Sequence, residues 1–167
     1  MRTFKIKFHW MLIFSFISFF LHGQSSSTKS QQAPNVTLHL VTGQDSLQLS
    51  TLKGKSVMLA FWSIYDIQYD NFLSQLSKIS SRYPKLKIIA VNTDDTPDSL
   101  LMEYSRKFTR LTLAWDKNGQ AFSSIQAHRT PAIYLIDQYG IIRKQFPEGI
   151  ADLKKLNFAL RGLVDHF

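Results

Sequence analysis

The chain has 167 residues, 44% of them hydrophobic and 19% charged, which is enough for one domain with a real core. Its formal charge is +8, but the basic residues are scattered, and no Arg-rich run with interleaved aromatics points to nucleic acid. There is no cysteine, which excludes disulfides, thiolate nucleophiles, Cys-ligated zinc and a lipid-bearing cysteine.

The chain opens with Arg2, Lys5 and Lys7, then an apolar stretch from Trp10 to Leu21, then small and polar residues. That layout reads as a secretory signal peptide over 1–24, cut near Gly23 or Gln24. About 12 apolar residues make a helix of about 18 Å, short of a bilayer core of about 30 Å. The alternative is an uncleaved anchor lengthened by Phe4 to Phe8. A flexible linker follows over 25–34, "SSSTKSQQAP", and then one domain over 35–167. The expected location is the periplasm, free or membrane-anchored. Membrane contact is expected only through the N-terminal segment, if uncleaved.

"NVTLHLV" alternates and is rich in β-formers, so it predicts a short strand. "TGQDSLQLSTLKGK" reads as loop, punctuated by Gly43 and Gly54. "SVMLAFW" is a continuous apolar run, the pattern of a strand buried on both faces. A helix is predicted from Asp66 to Arg82, with Phe72, Leu73, Leu76 and Ile79 as its stripe and Pro84 as its stop. "LKIIAVNTD" gives a second buried strand. "TPDSLLMEYSRKF" gives another helix, with Thr96 as cap, Pro97 at the first helical position and Asp98 in the first turn. "LTLAWDKNG" reads as a short extended segment and turn, and "AFSSIQAHR" as a short helix. "TPAIYLID", "QYG" and "IIRKQF" give strand, turn and strand. A last helix runs from Ala151 to Phe167, striped by Leu153, Leu156, Leu160, Leu163, Val164 and Phe167. Strands alternating with helices first, and a hairpin last, imply an α/β fold with a mixed sheet and helices on both faces.

This order, with these local sequences, resembles the thioredoxin-like fold. More closely, it resembles the extracytoplasmic thiol–disulfide oxidoreductases of the TlpA/ResA-like and redoxin (AhpC/TSA) type. "VMLAFWSIYDIQYD" matches that family's strand followed by F-W-A-x-W-C-x-x-C, though in frame only. "RTPAIYLIDQYGIIRK" matches its T-P-x-x-x-(L/I)-I-D-x-x-G-x-I hairpin. "KIIAVNTDDTPDSLLMEYSRKF" matches its central strand and the helix after it. The resemblance spans about Val36 to Phe167. It implies a four- to five-stranded sheet that includes Val57–Phe61, Ile88–Val91, Ile133–Ile136 and Ile141–Lys144. It also implies a cis peptide bond at Pro131, after Thr130. Asp66 falls on the first, nucleophilic cysteine and Tyr69 on the second. Tyr65 takes the aromatic before the first cysteine, and Ala60 a position often polar in the oxidoreductases.

A carboxylate and a phenol cannot exchange disulfides. Asp66 is therefore expected as a helix cap, or else as a fixed anion at the mouth of a groove. Trp62, Tyr65 and Tyr69 are expected either to pack or to form an aromatic floor that contacts a peptide. His128 and Arg129 precede Thr130 in the loop that should face Asp66, so an Asp–His or Asp–Arg pair is a possibility. The hypothetical groove comprises Trp62, Tyr65, Asp66, Tyr69, Arg129, Thr130 and Pro131. No metal and no cofactor is expected. One His and one Asp make a poor zinc site, His39 and His166 look remote, and Asp94, Asp95 and Asp98 lack calcium-loop spacing. The expected function is a non-catalytic binding or assembly module that holds an extended peptide or a partner protein. Two alternatives stay open: a degenerate family member with a structural role, and an acid/base activity of Asp66 with Tyr69 or His128.

Overall fold

The computed structural model describes residues 31–43 and 45–164. The leader, most of the predicted linker, His166 and Phe167 lie outside the described residues.

The apolar run at 57–62 forms strand β4 (Val57–Trp62), buried at all six positions. It pairs in parallel with β5 (Lys87–Asn92) and antiparallel with β7 (Ala132–Ile136). Parallel neighbours need a crossover, and α1 (Tyr69–Arg82) supplies it. Helix α2 (Asp98–Lys107) carries the chain on to β6 (Thr112–Trp115), again parallel to β5. Successive strand residues point to opposite faces, so β4 feeds two cores. Met58, Ala60 and Trp62 pack under Leu73 and Leu76 of α1, Leu101 of α2, and Leu156 and Leu160 of α4 (Leu153–Val164). Val57, Leu59 and Phe61 pack against Leu49 and Leu52, Ala121 of the short helix α3 (Gln120–Ser124), and Ile125. Helices thus lie on both faces, as the pattern implies.

Among the described residues the sheet has eight strands, more than the four or five expected, in the order β1-β8-β7-β4-β5-β6-β2-β3. The expected strand at 35–41 is β2 (Thr37–Leu40), and the hairpin is β7 with β8 (Ile141–Phe146). Two of the additions are too short to show a period: β1 (Gln31–Gln32), inside the stretch read as linker, and β3 (Ser46–Gln48), inside the stretch read as loop. The third is β6, the extended segment before Asp116. A 3-10 turn, Leu49–Leu52, also occupies the predicted loop.

Local rules misplaced two caps. Thr96 does not cap α2. Its hydroxyl is buried and donates to Asn92 Oδ1 (3.0 Å), and Pro97 takes the N-cap position. Helix α1 begins at Tyr69 rather than Asp66, after Gln68, which makes no side-chain cap bond. On α4, Leu156, Leu160 and Leu163 are buried as expected, while Leu153 is 47% exposed and leaves the stripe.

Candidate functional site

Three segments meet at the C-terminal end of β4. They are the turn Ser63–Gln68, the Thr130–Pro131 loop before β7, and the stretch Glu148–Ala151 before α4. The Thr130–Pro131 peptide bond is cis. Together they border a groove of about 550 Å³, lined in part by Asp66, Ile67, Tyr69, Phe72, Pro131 and Ile150.

Asp66 does not cap the helix, because its carboxylate is engaged elsewhere. Oδ2 accepts from the Ser63 N–H (3.2 Å), and Oδ1 accepts from the Thr130 hydroxyl (3.2 Å). The side chain therefore clasps the turn to the Thr130–Pro131 loop, across 64 positions of sequence. The expected Asp–His or Asp–Arg pair is not formed. The Arg129 guanidinium pairs with Glu148 (2.7 Å), and His128 is exposed beside a different hollow, bordered by Gln126 and Gln145.

The second predicted position is closed by aromatics. Tyr69 stacks on Trp62 (centroids 6.1 Å, 27° between planes). Tyr104 of α2 meets both rings edge-on, at 5.4 and 5.7 Å, and its hydroxyl donates to the Tyr69 oxygen (3.0 Å). Burial, and next that hydrogen bond, raise the Tyr104 phenol well above its ordinary value, so it stays a neutral donor. Trp62 is 1% exposed and lies beneath Tyr69, so it supports the groove rather than lining it. Its indole N–H has no partner among the described residues. Tyr65 does not join this cluster. It is 79% exposed, next to the fully exposed Ile67, and the two form an apolar lip.

Sequence reasoning missed three residues. Asp94 was read as a strand end, but its carboxylate holds the turn. Oδ1 accepts from the Ser63 hydroxyl (2.8 Å), and Oδ2 from the Ile64 N–H (2.7 Å) and Asn92 Nδ2 (3.1 Å). Its main-chain oxygen accepts from the Trp115 indole (2.7 Å). The Asn-x-Asp pattern after a buried strand was the only local signal, an Asx-type turn. Tyr104 gave no signal beyond its place in a helix. Gly149 has φ +62°, and a Cβ there would lie 2.9 Å from Pro131 Cγ and 3.2 Å from Phe72 Cε2. Only glycine lets that backbone close over the proline.

The family model described as the AhpC/TSA family matches residues 30–145. The chain belongs to the AhpC/TSA family. Thiol-disulfide oxidoreductase ResA of Halalkalibacterium halodurans is 26% identical over 141 residues, 83% of this chain and 80% of that relative. Among solved structures, a secreted thiol-disulfide isomerase from Corynebacterium glutamicum aligns with a TM-score of 0.71 at 16% identity, covering 83% of this chain and 89% of that one. A pneumococcal exposed lipoprotein thioredoxin from Streptococcus pneumoniae gives 0.66 at 18%, covering 78% and 100%. The fold is thioredoxin-like. This AhpC/TSA-family chain nonetheless has no sulfhydryl with which to perform the exchange that its relatives are named for.

Proposed function

We propose that this AhpC/TSA-family chain is an exported, non-catalytic module that binds an extended peptide or a strand of a partner protein at the Thr130 groove. One observation carries the reading. No backbone–backbone hydrogen bond within the described residues engages the N–H or the C=O of Thr130. A free donor and acceptor at a groove edge is what strand addition requires: main-chain bonds supply affinity and side-chain pockets supply selectivity. Ile67 and Tyr65 offer apolar contact at the lip, and Phe72 and Ile150 offer it inside. Acid/base catalysis by Asp66 is disfavoured, because both of its oxygens already accept hydrogen bonds. Export is supported by the charged-then-apolar leader, and by relatives whose names describe them as secreted or as an exposed lipoprotein.

The test is titration of ¹⁵N-labelled protein with a library of extended peptides. The expected result is saturable shifts at Thr130, Ile67 and Tyr69, and affinity at least tenfold weaker in Ile67→Glu. Shifts confined to other surfaces, or none with any peptide, would remove the proposal.

A further inference from the structure

A larger hollow, about 900 Å³, lies away from the Thr130 groove, between β8 and α4. That volume falls within the range of small-molecule sites. Its floor is apolar, with Leu135, Phe146 and Leu163. A register shift between Leu135 and Ile136 leaves Arg143 as the extra residue on β8 and sets Lys144 opposite Leu135, on the α4 side of the sheet. Lys154 adds a second cation from α4, and Phe158, 82% exposed, stands at the margin.

The charge is one-sided. Arg143 is paired with the buried Asp137 (2.6 Å), and Lys155 with Asp152 (3.5 Å). Lys144 and Lys154 have no carboxylate partner among the described residues. Gly162 supplies a second, independent pointer. It lies inside α4, where glycine weakens a helix relative to alanine. A Cβ built there meets nothing within 4 Å among the described residues, so no contact with them demands glycine. The wall it leaves open is a wall of this hollow.

We propose that the β8–α4 groove binds a single-chain anionic amphiphile, its tail along Leu135, Phe146 and Leu163 and its carboxylate or phosphate at Lys144 and Lys154. The missing side chain at Gly162 admits the tail. A dozen residues line the groove, against about 20–30 a side in a standard protein interface, which favours a small molecule over a protein surface. A flat bilayer would touch the protruding Phe158 but not the concave floor.

The experiment titrates the protein with laurate and with dodecyl phosphate, both below micelle formation, following ¹⁵N shifts and heat. The two probes distinguish a carboxylate source from a phosphate one. One-to-one saturable binding is expected, with shifts at Leu135, Phe146, Phe158 and Gly162. Dodecanol should bind at least tenfold more weakly, as should both anions to Lys144→Glu/Lys154→Glu. Gly162→Ala should raise the denaturation midpoint of the free protein, and Gly162→Trp should abolish binding. The paired Lys variant changes only exposed positions, so it serves if Gly162→Trp fails to fold. Equal binding of laurate and dodecyltrimethylammonium, unchanged affinity in the Lys variant, or binding only to anionic vesicles would each overturn the proposal. The Thr130 groove is untouched by these variants, so peptide binding there stands or falls separately.

Discussion

Replacing Asp94 by alanine should cost far more than its half-buried position just after a strand suggests. The change removes the acceptor of three hydrogen bonds, from the Ser63 hydroxyl, the Ile64 N–H and Asn92 Nδ2. Asn92 is fully buried and Ser63 nearly so, so water replaces the lost carboxylate poorly. Hydrogen bonds to a charged group contribute about 1.5–3 kcal/mol each, and bonds that share one acceptor are not additive. We therefore expect a loss of about 3–4 kcal/mol. At a urea slope of about 2 kcal/mol/M, the midpoint falls by about 1.5–2 M. Urea denaturation followed by tryptophan fluorescence measures it. Asp95→Ala is the control: that neighbour is exposed and makes no side-chain hydrogen bond within the described residues, so its effect should stay within about 0.5 kcal/mol. Asp94→Asn retains one acceptor oxygen and should fall between the two. An Asp94→Ala midpoint within about 0.5 M of wild type would refute the claim that this carboxylate holds the turn.

Tyr69→Phe and Tyr104→Phe should each cost about 0.5–1.5 kcal/mol, and the double variant little more than either, because both remove the same hydroxyl pair. Burial raises the Tyr104 phenol, so its contribution is whole below its ordinary value of 10.0 and is lost as pH rises beyond it. Denaturation midpoints from pH 8 upward should therefore fall less steeply in Tyr104→Phe than in wild type. Gly149→Ala forces an alanine into the left-handed region and against Pro131, at a cost of about 2–4 kcal/mol, readable as a thermal shift. The wild-type protein should reduce no insulin disulfides. In Asp66→Cys/Tyr69→Cys the new thiols span a turn closed by the Tyr69 N–H on the Asp66 carbonyl (3.1 Å), within disulfide reach, so oxidant should link them and confer measurable reduction. Thiols that stay free under oxidant would mean that the turn does not present those positions together.

The central strands were legible because burial on both faces writes itself as an unbroken apolar run, as in Val57–Trp62 and Ile88–Val91. The stripe of α1 was legible for a similar reason, since Phe72, Leu73, Leu76 and Ile79 keep helical spacing. Strands of two or three residues, such as Gln31–Gln32 and Ser46–Gln48, have no period to read. The cap assigned to Asp66 failed for a different reason. A local rule sees a carboxylate before a helix and offers it the helix N–H groups. The fold offers it the Thr130 hydroxyl, 64 positions away. Asp94 was missed in the same way, because Ser63 and Ile64 lie about 30 positions upstream.

Asp66 and Tyr69, the positions where the family resemblance would set a dithiol, are not idle side chains. Each has acquired a fixed partner of its own: Asp66 has Thr130, and Tyr69 has Tyr104. A site that exchanges bonds needs groups left ready to react, and here both side chains are committed within the protein. Among the described residues, what stays uncommitted is the main chain of Thr130 and the apolar lip of Tyr65 and Ile67. Main-chain donors, acceptors and exposed apolar side chains hold a ligand without changing it. That division, with side chains locked and backbone left open, is the physical reason to expect binding rather than turnover from this frame.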